Sequence, residues 1–491
     1  MTGADVLFTH SYFLRFDPKE LRAMTPYPPL GTLYAAGVAR ALGLRPALFD
    51  SMLEEREADI VPVLRRLKPR VVAIYDDGFN YLTKMCLTRM REAAFTLARL
   101  ARNEGCAVIV HGSDAADHAE EYLAHGADYV LCGEGEGPLR NLLGTLFDGT
   151  GDPRSVRGIA FNEGADVRLT PPQPSMKDLD ALPLPAWDLI DAPRYRSLWM
   201  RHHGLFSLNM VTTRGCPFKC NWCAKPIYGQ AYAVRSPAGV VDEMLHLRAT
   251  LRPDHIWFCD DIFGLKPGWI GEFSAEVRNR GARTPFKCQA RVDLLLRGDA
   301  VRHLAESGCT SVWVGAESGS QKILDAMDKG TTVAQIYEAS RRLREHGIRT
   351  GFFLQFGYPG ETREDIDLTL RMVRDCRPDD IGVSVSYPLP GTPFYESVRR
   401  SLGGKRNWTV SEDLDLMFPG TFPPDFYRAL HALTHKRLRI WQGLDQARDL
   451  AREPWNVTPG KLRRVALSAY HMATVPYYRR KLNALAKPVQ A

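Results

Sequence analysis

Two long stretches in which short apolar strands alternate with helical segments, followed by a basic helical tail, predict an α/β protein of two or three domains. Such alternation implies βαβ units and parallel sheets, with ligands gathered at the C-terminal ends of the strands. Residues 1–148 form the first stretch and read as a doubly wound, Rossmann-like domain. Residues 149–200 are rich in Gly and Pro and read as a linker holding a small hairpin. Residues 201–398 alternate again, and residues 399–491 read as a mainly helical C-terminal region.

The elements follow in order. Residues 5–10 are a short apolar strand, and residues 28–43 have helical periodicity that stops at Gly43. Strands at 46–52 and 70–77 flank a helix at 58–69, and a long helix spans 84–105. A strand at 107–114, a helix at 118–126 and a strand at 127–136 complete the first set. In the linker, 158–161 and 167–170 suggest the two arms of the hairpin. Six strands are then expected at 208–215, 255–263, 285–291, 311–318, 350–357 and 380–391, with helices between them.

Composition sets bounds. The 491 residues are 45% hydrophobic and 25% charged, ordinary for a globular protein. No apolar run reaches the roughly 18 residues of a membrane span. The N-terminus has no basic segment followed by a long apolar one, so it reads as a first strand and the expected location is the cytoplasm. The formal charge of +7 permits an anionic ligand or surface, but no basic block alternates with aromatics, so no nucleic-acid partner is expected. Ten Cys in such a chain argue for metal ligands or buried thiols rather than disulfides. Cys86, Cys106, Cys132, Cys259, Cys288, Cys309 and Cys376 stand alone, mostly in apolar stretches, as small core residues do.

The other three, Cys216, Cys220 and Cys223, are spaced C-x-x-x-C-x-x-C with Trp222 before the last. Three close thiolates with no obvious fourth can hold three irons of a [4Fe–4S] cluster and leave one open. A zinc knuckle is the competing reading, but zinc usually takes four ligands in paired C-x-x-C spacing. The motif resembles that of the radical S-adenosylmethionine (SAM) enzymes. The resemblance implies that the open iron chelates SAM, that one electron breaks its C–S bond, and that a 5′-deoxyadenosyl radical removes a hydrogen atom. It also implies a partial (β/α)6 barrel over residues 201–398, with chemistry on loops at the strand C-termini. Gly215 would allow the turn before the cysteines, and Arg214 and Lys219 would place positive charge near the cluster, with solvated charge as the alternative.

Further segments extend the resemblance in a fixed order: Asp260-Asp261, Arg291, Gly315 to Ser320, Phe356 to Thr362 and Tyr387 to Tyr395. By resemblance, Asp260 or Asp261 meets the SAM amino group. Adjacent side chains alternate across a strand, so only one of them can face the pocket. Arg291 could pair bidentately with the SAM carboxylate, while Glu317 and Ser318 would meet its ribose or amino acid moiety.

Residues 1–148 resemble the cobalamin-binding domain that precedes many radical SAM domains. The likeness rests on Pro29-Leu30-Gly31 opening the first helix, on residues 108–136 and on the order of elements. It implies cobalamin contacts from Pro29, Leu30, Gly31, Asp77, Asn80, Tyr81, Gly112, Ser113, Gly133 and Glu134. Gly112 and Gly133 end strands where backbone must approach a ligand. His10, His111, His118 and His125 each lack an Asp two residues before, so the D-x-H-x-x-G motif is absent and no His is expected on cobalt. The loop after the third strand, with Asp77, Phe79, Asn80 and Tyr81, would face the lower side of the corrin. A plain flavodoxin-like domain is the alternative.

The whole resembles a cobalamin-dependent radical SAM methyltransferase acting on an unactivated carbon of a small-molecule or lipid-like substrate. Two readings compete: the same cofactors used for oxidation, cyclisation or ring rearrangement, and a non-catalytic cobalamin or Fe–S binding module. An external electron donor such as flavodoxin or ferredoxin is implied. Lys461, Arg463 and Arg464 precede an apolar stretch, and Arg479, Arg480 and Lys481 follow it. That pattern fits a helix at an anionic membrane surface, or one packed on the barrel with its charges in water. Pro476 is expected to break or kink this helix.

Overall fold

The computed structural model describes residues 3–79, 85, 87–223, 227–405 and 407–486. It divides into two compact units: Met1–Pro217 with Ala224–Phe286 and Asn407–Asp413, and Phe218–Cys223 with Lys287–Arg406 and Leu414–Ala491.

The first unit is built on a seven-stranded sheet in the order β2-β1-β3-β4-β5-β6-β7. Its strands are β1 (Val6–Thr9), β2 (Pro46–Leu48), β3 (Val71–Tyr75), β4 (Ala107–His111), β5 (Tyr129–Leu131), β6 (Ile159–Glu163) and β7 (Asp166–Leu169). The first five pair in parallel, with Val6 opposite Val71 and Val71 opposite Ala107. Alternate residues of each strand face opposite sides. Leu7, Val72, Ile74, Val108 and Val110 pack with Ala93 and Leu97 of the helix Thr88–Asn103. Val6, Phe8, Ala73 and Ile109 pack with Ala35, Ala36 and Ala39 of the helix Leu30–Ala41 and with Leu139, Leu142 and Leu143 of the helix Glu136–Asp148. Helices on both faces explain why β1 and β3 are apolar throughout. The parallel strand order 2-1-3-4-5 reverses direction between β1 and β3, where open α/β sheets form their ligand crevice.

The hairpin expected in the linker is part of this sheet. β6 pairs antiparallel with β5, Val130 opposite Ala160, and β7 closes the edge. A hairpin of two short strands cannot stay folded alone in water, so it takes the free edge of β5.

A second sheet has six strands in the order β15-β14-β13-β12-β11-β8. These are β8 (Ser207–Met210), β11 (His255–Phe258), β12 (Phe286–Ala290), β13 (Cys309–Glu317), β14 (Arg349–Phe356) and β15 (Asp380–Val385). The β8·β11, β13·β14 and β14·β15 pairs are parallel, and the strands follow one another in chain order, as in a half-barrel. A two-residue ribbon, β9 (Thr213–Arg214) with β10 (Ala233–Val234), lies in the first unit.

The second unit ends in two helices, Pro424–Arg452 and Pro459–Leu485. They run antiparallel: a Cβ on Gly443 would come within 2.3 Å of Ser468 Cβ, and Lys436 Nζ donates to Thr474 Oγ1 at 3.0 Å. The helix continues through Pro476 to Leu485, contrary to the break expected there. A Pro removes one backbone hydrogen bond, and packing against the neighbouring helix holds the segment together. No helix among the described residues is long and apolar enough to cross a membrane.

Gly443 is thus where the two helices touch backbone to side chain. Gly443→Val should destabilise the second unit by about 1–3 kcal/mol through overpacking. Thermal unfolding followed by circular dichroism checks this; an unchanged midpoint would show that the helices do not cross there.

Candidate active site

The segment leading to the cysteines is fixed in the first unit by the β9·β10 ribbon, Arg214 opposite Ala233. Gly215 follows at φ +72°, and a Cβ there would lie 2.0 Å from the Ala231 carbonyl oxygen. Only glycine fits, and the turn sets the direction in which Cys216 leaves.

Arg214 does not act on the cluster loop as expected. It is buried, and its guanidinium donates to Glu134 and, at 2.7 and 3.1 Å, to both oxygens of Glu136. The rings of Tyr34, Phe79 and Tyr228 stand 5.3–5.7 Å from it. Burial opposes ionisation of Glu136, but Arg214 outweighs it and holds the carboxyl below its ordinary range. Glu134 is further used by the Met176 N–H at 2.7 Å. Lys219 is exposed to solvent.

In the second unit, Phe218–Cys223 is clamped by its neighbours. The Asn221 N–H donates to Met327 O at 3.1 Å, and its side-chain amide donates to Ala326 O at 2.8 Å and Asp328 Oδ2 at 3.0 Å. The Tyr358 hydroxyl lies 2.9 Å from Asn221 Oδ1, and the Phe394 N–H donates to Asn221 O. Arg291 stacks 3.7 Å from the Phe218 ring centre, places a guanidinium nitrogen 3.8 Å from Cys220 Sγ, and pairs with Asp293 at 2.9 Å. Lys329 is buried, bonded to Glu317 at 2.8 Å and 5.8 Å above the Trp222 ring. Burial works against its ammonium, but Glu317 and the Cys220 sulfur outweigh it, so its pKa is raised. The cations that flank Cys220 are therefore Arg291 and Lys329, which sequence reasoning assigned to SAM and overlooked, respectively.

Cys216, Cys220 and Cys223 are half-buried, whereas Cys106, Cys259, Cys288, Cys309 and Cys376 are buried core thiols. Cys132 is intermediate, and Cys86 lies outside the described residues. Among the described residues no three His, Cys, Asp or Glu side chains converge on a single ion. A [4Fe–4S] cluster takes one thiolate per iron, and neighbouring cations favour thiolate. On donor chemistry, three partly open thiols, with Arg291 and Lys329 beside Cys220, fit such a cluster.

Asp260 ends β11 buried and accepts from the N–H and hydroxyl groups of both Thr212 and Thr213 at 2.6–3.0 Å. Burial raises its pKa to about 6. Its acceptors are committed to the β8–β9 turn, whereas Asp261 is exposed. Glu317 ends β13 at φ +54°, next to a register shift between Gly315 and Glu317. A left-handed non-glycine residue is strained and persists where the surroundings hold it; here the Lys329 ion pair does so. Ser318 is buried, 3.1 Å from Thr369 Oγ1, and accepts from the Ser320 N–H.

At the first sheet, Asp77 caps the helix Leu30–Ala41: it accepts from the N–H groups of Leu30 at 3.2 Å, Gly31 at 3.1 Å and Phe79 at 3.0 Å. That carboxylate is engaged with backbone N–H groups. A Cβ on Gly31 would stand 3.2 Å from Asp77 Cα, which explains glycine after Pro29 and Leu30. Asn80 and Tyr81 lie outside the described residues. A Cβ on Gly112 would stand 3.1 Å from the Asp76 side chain, and Ser113 is buried just beyond. Gly133 turns at φ +75°, and its carbonyl oxygen lies 3.0 Å from His111 Nε2. His111 stacks on Tyr75, burial lowers its pKa, and its Nδ1 is buried with no partner among the described residues. His111, Gly112 and Gly133 thus gather at the C-terminal ends of β4 and β5.

Glu361 was also missed. Its Oε2 accepts from the Gly357 N–H at 2.6 Å, its Oε1 is buried without a partner, and burial raises its pKa to about 8. The folded state then holds a proton that the unfolded chain releases above its ordinary carboxyl pKa, so Glu361 erodes stability as pH rises from about 4.5 to about 8. Glu361→Gln should flatten this dependence and gain roughly 3–4 kcal/mol over the native protein at pH 8, little at pH 4.5. Melting temperatures across that range check the sign; a difference independent of pH would refute it.

The radical SAM superfamily model matches residues 210–373. The chain is 27% identical over 399 residues to an uncharacterised methyltransferase of Pyrococcus horikoshii, covering 80% of this chain and 83% of that protein. It is 32% identical over 279 residues to the anaerobic magnesium-protoporphyrin IX monomethyl ester cyclase of Cereibacter sphaeroides, 55% of this chain and 45% of that protein. The fold is similar to that of the radical SAM methyltransferase TsrM of Kitasatospora setae, solved with cobalamin and a [4Fe–4S] cluster, at TM-score 0.65 and 20% identity, covering 81% of this chain and 75% of that one. The chain thus carries a radical SAM domain over residues 210–373, and with its three-cysteine loop, half-barrel and preceding open sheet it resembles radical SAM methyltransferases, one of them solved with cobalamin.

Proposed function

We propose that the protein is a cobalamin-dependent radical SAM enzyme that methylates an unactivated carbon of a small-molecule or lipid-like substrate. In this reading residues 1–148 are the cobalamin-binding domain, 149–200 the linker, 201–398 the radical SAM half-barrel and 399–491 the helical region. The observation that carries it is the partly open three-cysteine loop beside two buried cations, in a chain that also holds an open parallel sheet with a glycine-lined edge. When bound, the cluster and SAM supply one-electron radical chemistry and cobalamin supplies a transferable methyl group.

The chain's own residues bind and position. Cys216, Cys220 and Cys223 are the iron ligands. Arg291 and Lys329 hold positive charge against the anionic cluster and favour its reduced form. Asp261, the exposed member of the Asp260–Asp261 pair, is the carboxylate we assign to the SAM amino group. Glu317, fixed by Lys329, and Ser318 shape the end of β13 beside them. Gly112, Ser113, Gly133 and the Pro29–Gly31 turn would admit the cobalamin tail to the crevice. The order of strands and the absence of a D-x-H-x-x-G histidine support cobalt without a His ligand. A flavodoxin or ferredoxin is the electron donor this chemistry asks for.

A second reading, radical oxidation or cyclisation without methyl transfer, is favoured by the 32% identity to the cyclase, although that match spans under half of the cyclase. The methyltransferase likeness spans most of both chains.

Anaerobically reconstituted protein should bind one [4Fe–4S] cluster and cleave SAM to 5′-deoxyadenosine under a strong reductant. Changing Cys216, Cys220 and Cys223 together to Ala should abolish both iron and cleavage. Retention of a full cluster in the triple variant would overturn the ligand assignment. Metabolites compared with and without the protein should differ by one methyl group; a loss of hydrogens would favour the second reading. In the Co(II) state, electron paramagnetic resonance should show no nitrogen splitting from an axial His, and such splitting would contradict the proposed cobalt environment.

A further inference from the structure

We infer that the outer face of the last helix, Pro459–Leu485, together with the turn before it, is a docking surface for an anionic lipid bilayer. This is independent of the chemistry proposed above and stands or falls on different observations.

The helix is apolar on two sides. Ser468 and Leu482 face inward and are buried, Ser468 at the Gly443 crossing. On the other side Leu462, Ala466, Tyr470, Ala473 and Tyr477 recur at steps of four, four, three and four residues and so form one stripe. That stripe is exposed: Leu462 is 52%, Tyr470 57% and Tyr477 63% accessible. At its N-terminal end the turn leaves Trp455 81% accessible with Val457 at 48%. A tryptophan so exposed, on a turn between two helices, has no role in packing its own chain. Trp and Tyr suit the boundary between water and lipid, where the ring is apolar and its polar atom stays wet.

Charge selects the occupant. The helix has no Asp or Glu anywhere along it, and carries Lys461, Arg463 and Arg464 in its first turns and Arg479, Arg480 and Lys481 in its last. Arg452 extends the basic end beyond the turn, whereas Arg448 is paired with Asp445 at 3.0 Å; Asp449 and Glu453 are further acidic side chains there, and Glu453 accepts from Asn456 at 3.2 Å. An apolar aromatic stripe bracketed by cations matches an interfacial helix on anionic lipid. A nucleic acid would answer the charge but not the exposed Leu462, Val457 and Trp455. The surface would bring the enzyme to a membrane, where an apolar substrate concentrates.

The test is co-sedimentation of the full chain with vesicles of phosphatidylcholine alone or mixed with phosphatidylglycerol. The expected result is binding to the mixed vesicles only, weakening steeply with salt. Exchanging Lys461, Arg463 and Arg464 for Gln should lower the partition coefficient about a hundredfold, at roughly tenfold or less per charge. The double variant Trp455→Ser, Tyr470→Ser should lower it as well while leaving the melting temperature unchanged, since both side chains are exposed. Equal, salt-insensitive partitioning of all forms would overturn the proposal. So would a concentration-dependent dimer that Trp455→Ser abolishes, which would make a second copy the occupant, or binding to duplex DNA as tight as to the mixed vesicles.

Discussion

The buried guanidinium of Arg214 is the interaction on which the site depends. Removing a cation from water costs several kcal/mol, recovered only when geometry and partners are complete. Here two buried carboxylates, Glu134 and Glu136, complete it, and three aromatic rings close around it. The consequence is positional. Arg214 directly precedes Gly215 and Cys216, while Glu134 follows Gly133 and Glu136 stands two residues further on, just beyond β5. One ion-pair network thus ties the start of the cysteine loop to the strand-end loop we assign to cobalamin. Arg214 and Glu134 thus pair with each other and hold together the segments on which they lie.

The same division recurs elsewhere. Asp260 spends its oxygens on Thr212 and Thr213, and Asp77 spends its own on the first turn of a helix. In each case a carboxylate at a strand end organises the backbone around it. The charges set against the thiolates come from further along the chain. Arg291 lies on the Phe218 ring with a nitrogen near Cys220, and Lys329 is locked by a Glu317 held in a left-handed conformation. Strain of this kind is kept where a site needs a side chain aimed against its local preference.

Much of the fold was legible in the sequence because burial leaves a periodic trace. The apolar runs of β1 and β3 announced a sheet covered on both faces, and the spacing of Cys216, Cys220 and Cys223 announced a shared ligand. What was not legible depends on contacts between distant segments. The hairpin at β6 and β7 carries the same local pattern whether it floats in a linker or pairs with β5. Lys329 reads as a solvated lysine in a turn, and only the fold shows that Glu317 and Cys220 surround it. Pro476 forbids one hydrogen bond, yet packing against Pro424–Arg452 carries the helix past it. Of the two cations next to the cysteines in sequence, the fold buries Arg214 against carboxylates and leaves Lys219 in water, the alternative the sequence had offered for it.

The central claim, that one buried arginine holds both cofactor loops in register, is tested most directly by the iron and cobalamin content of Arg214→Met and Arg214→Lys after anaerobic reconstitution. Met leaves two buried carboxylates unpaired, and Lys keeps the charge but loses the two-pronged contact with Glu136. Iron and cobalamin content should fall together, more in Met than in Lys. Full occupancy of both cofactors in Arg214→Met would contradict it.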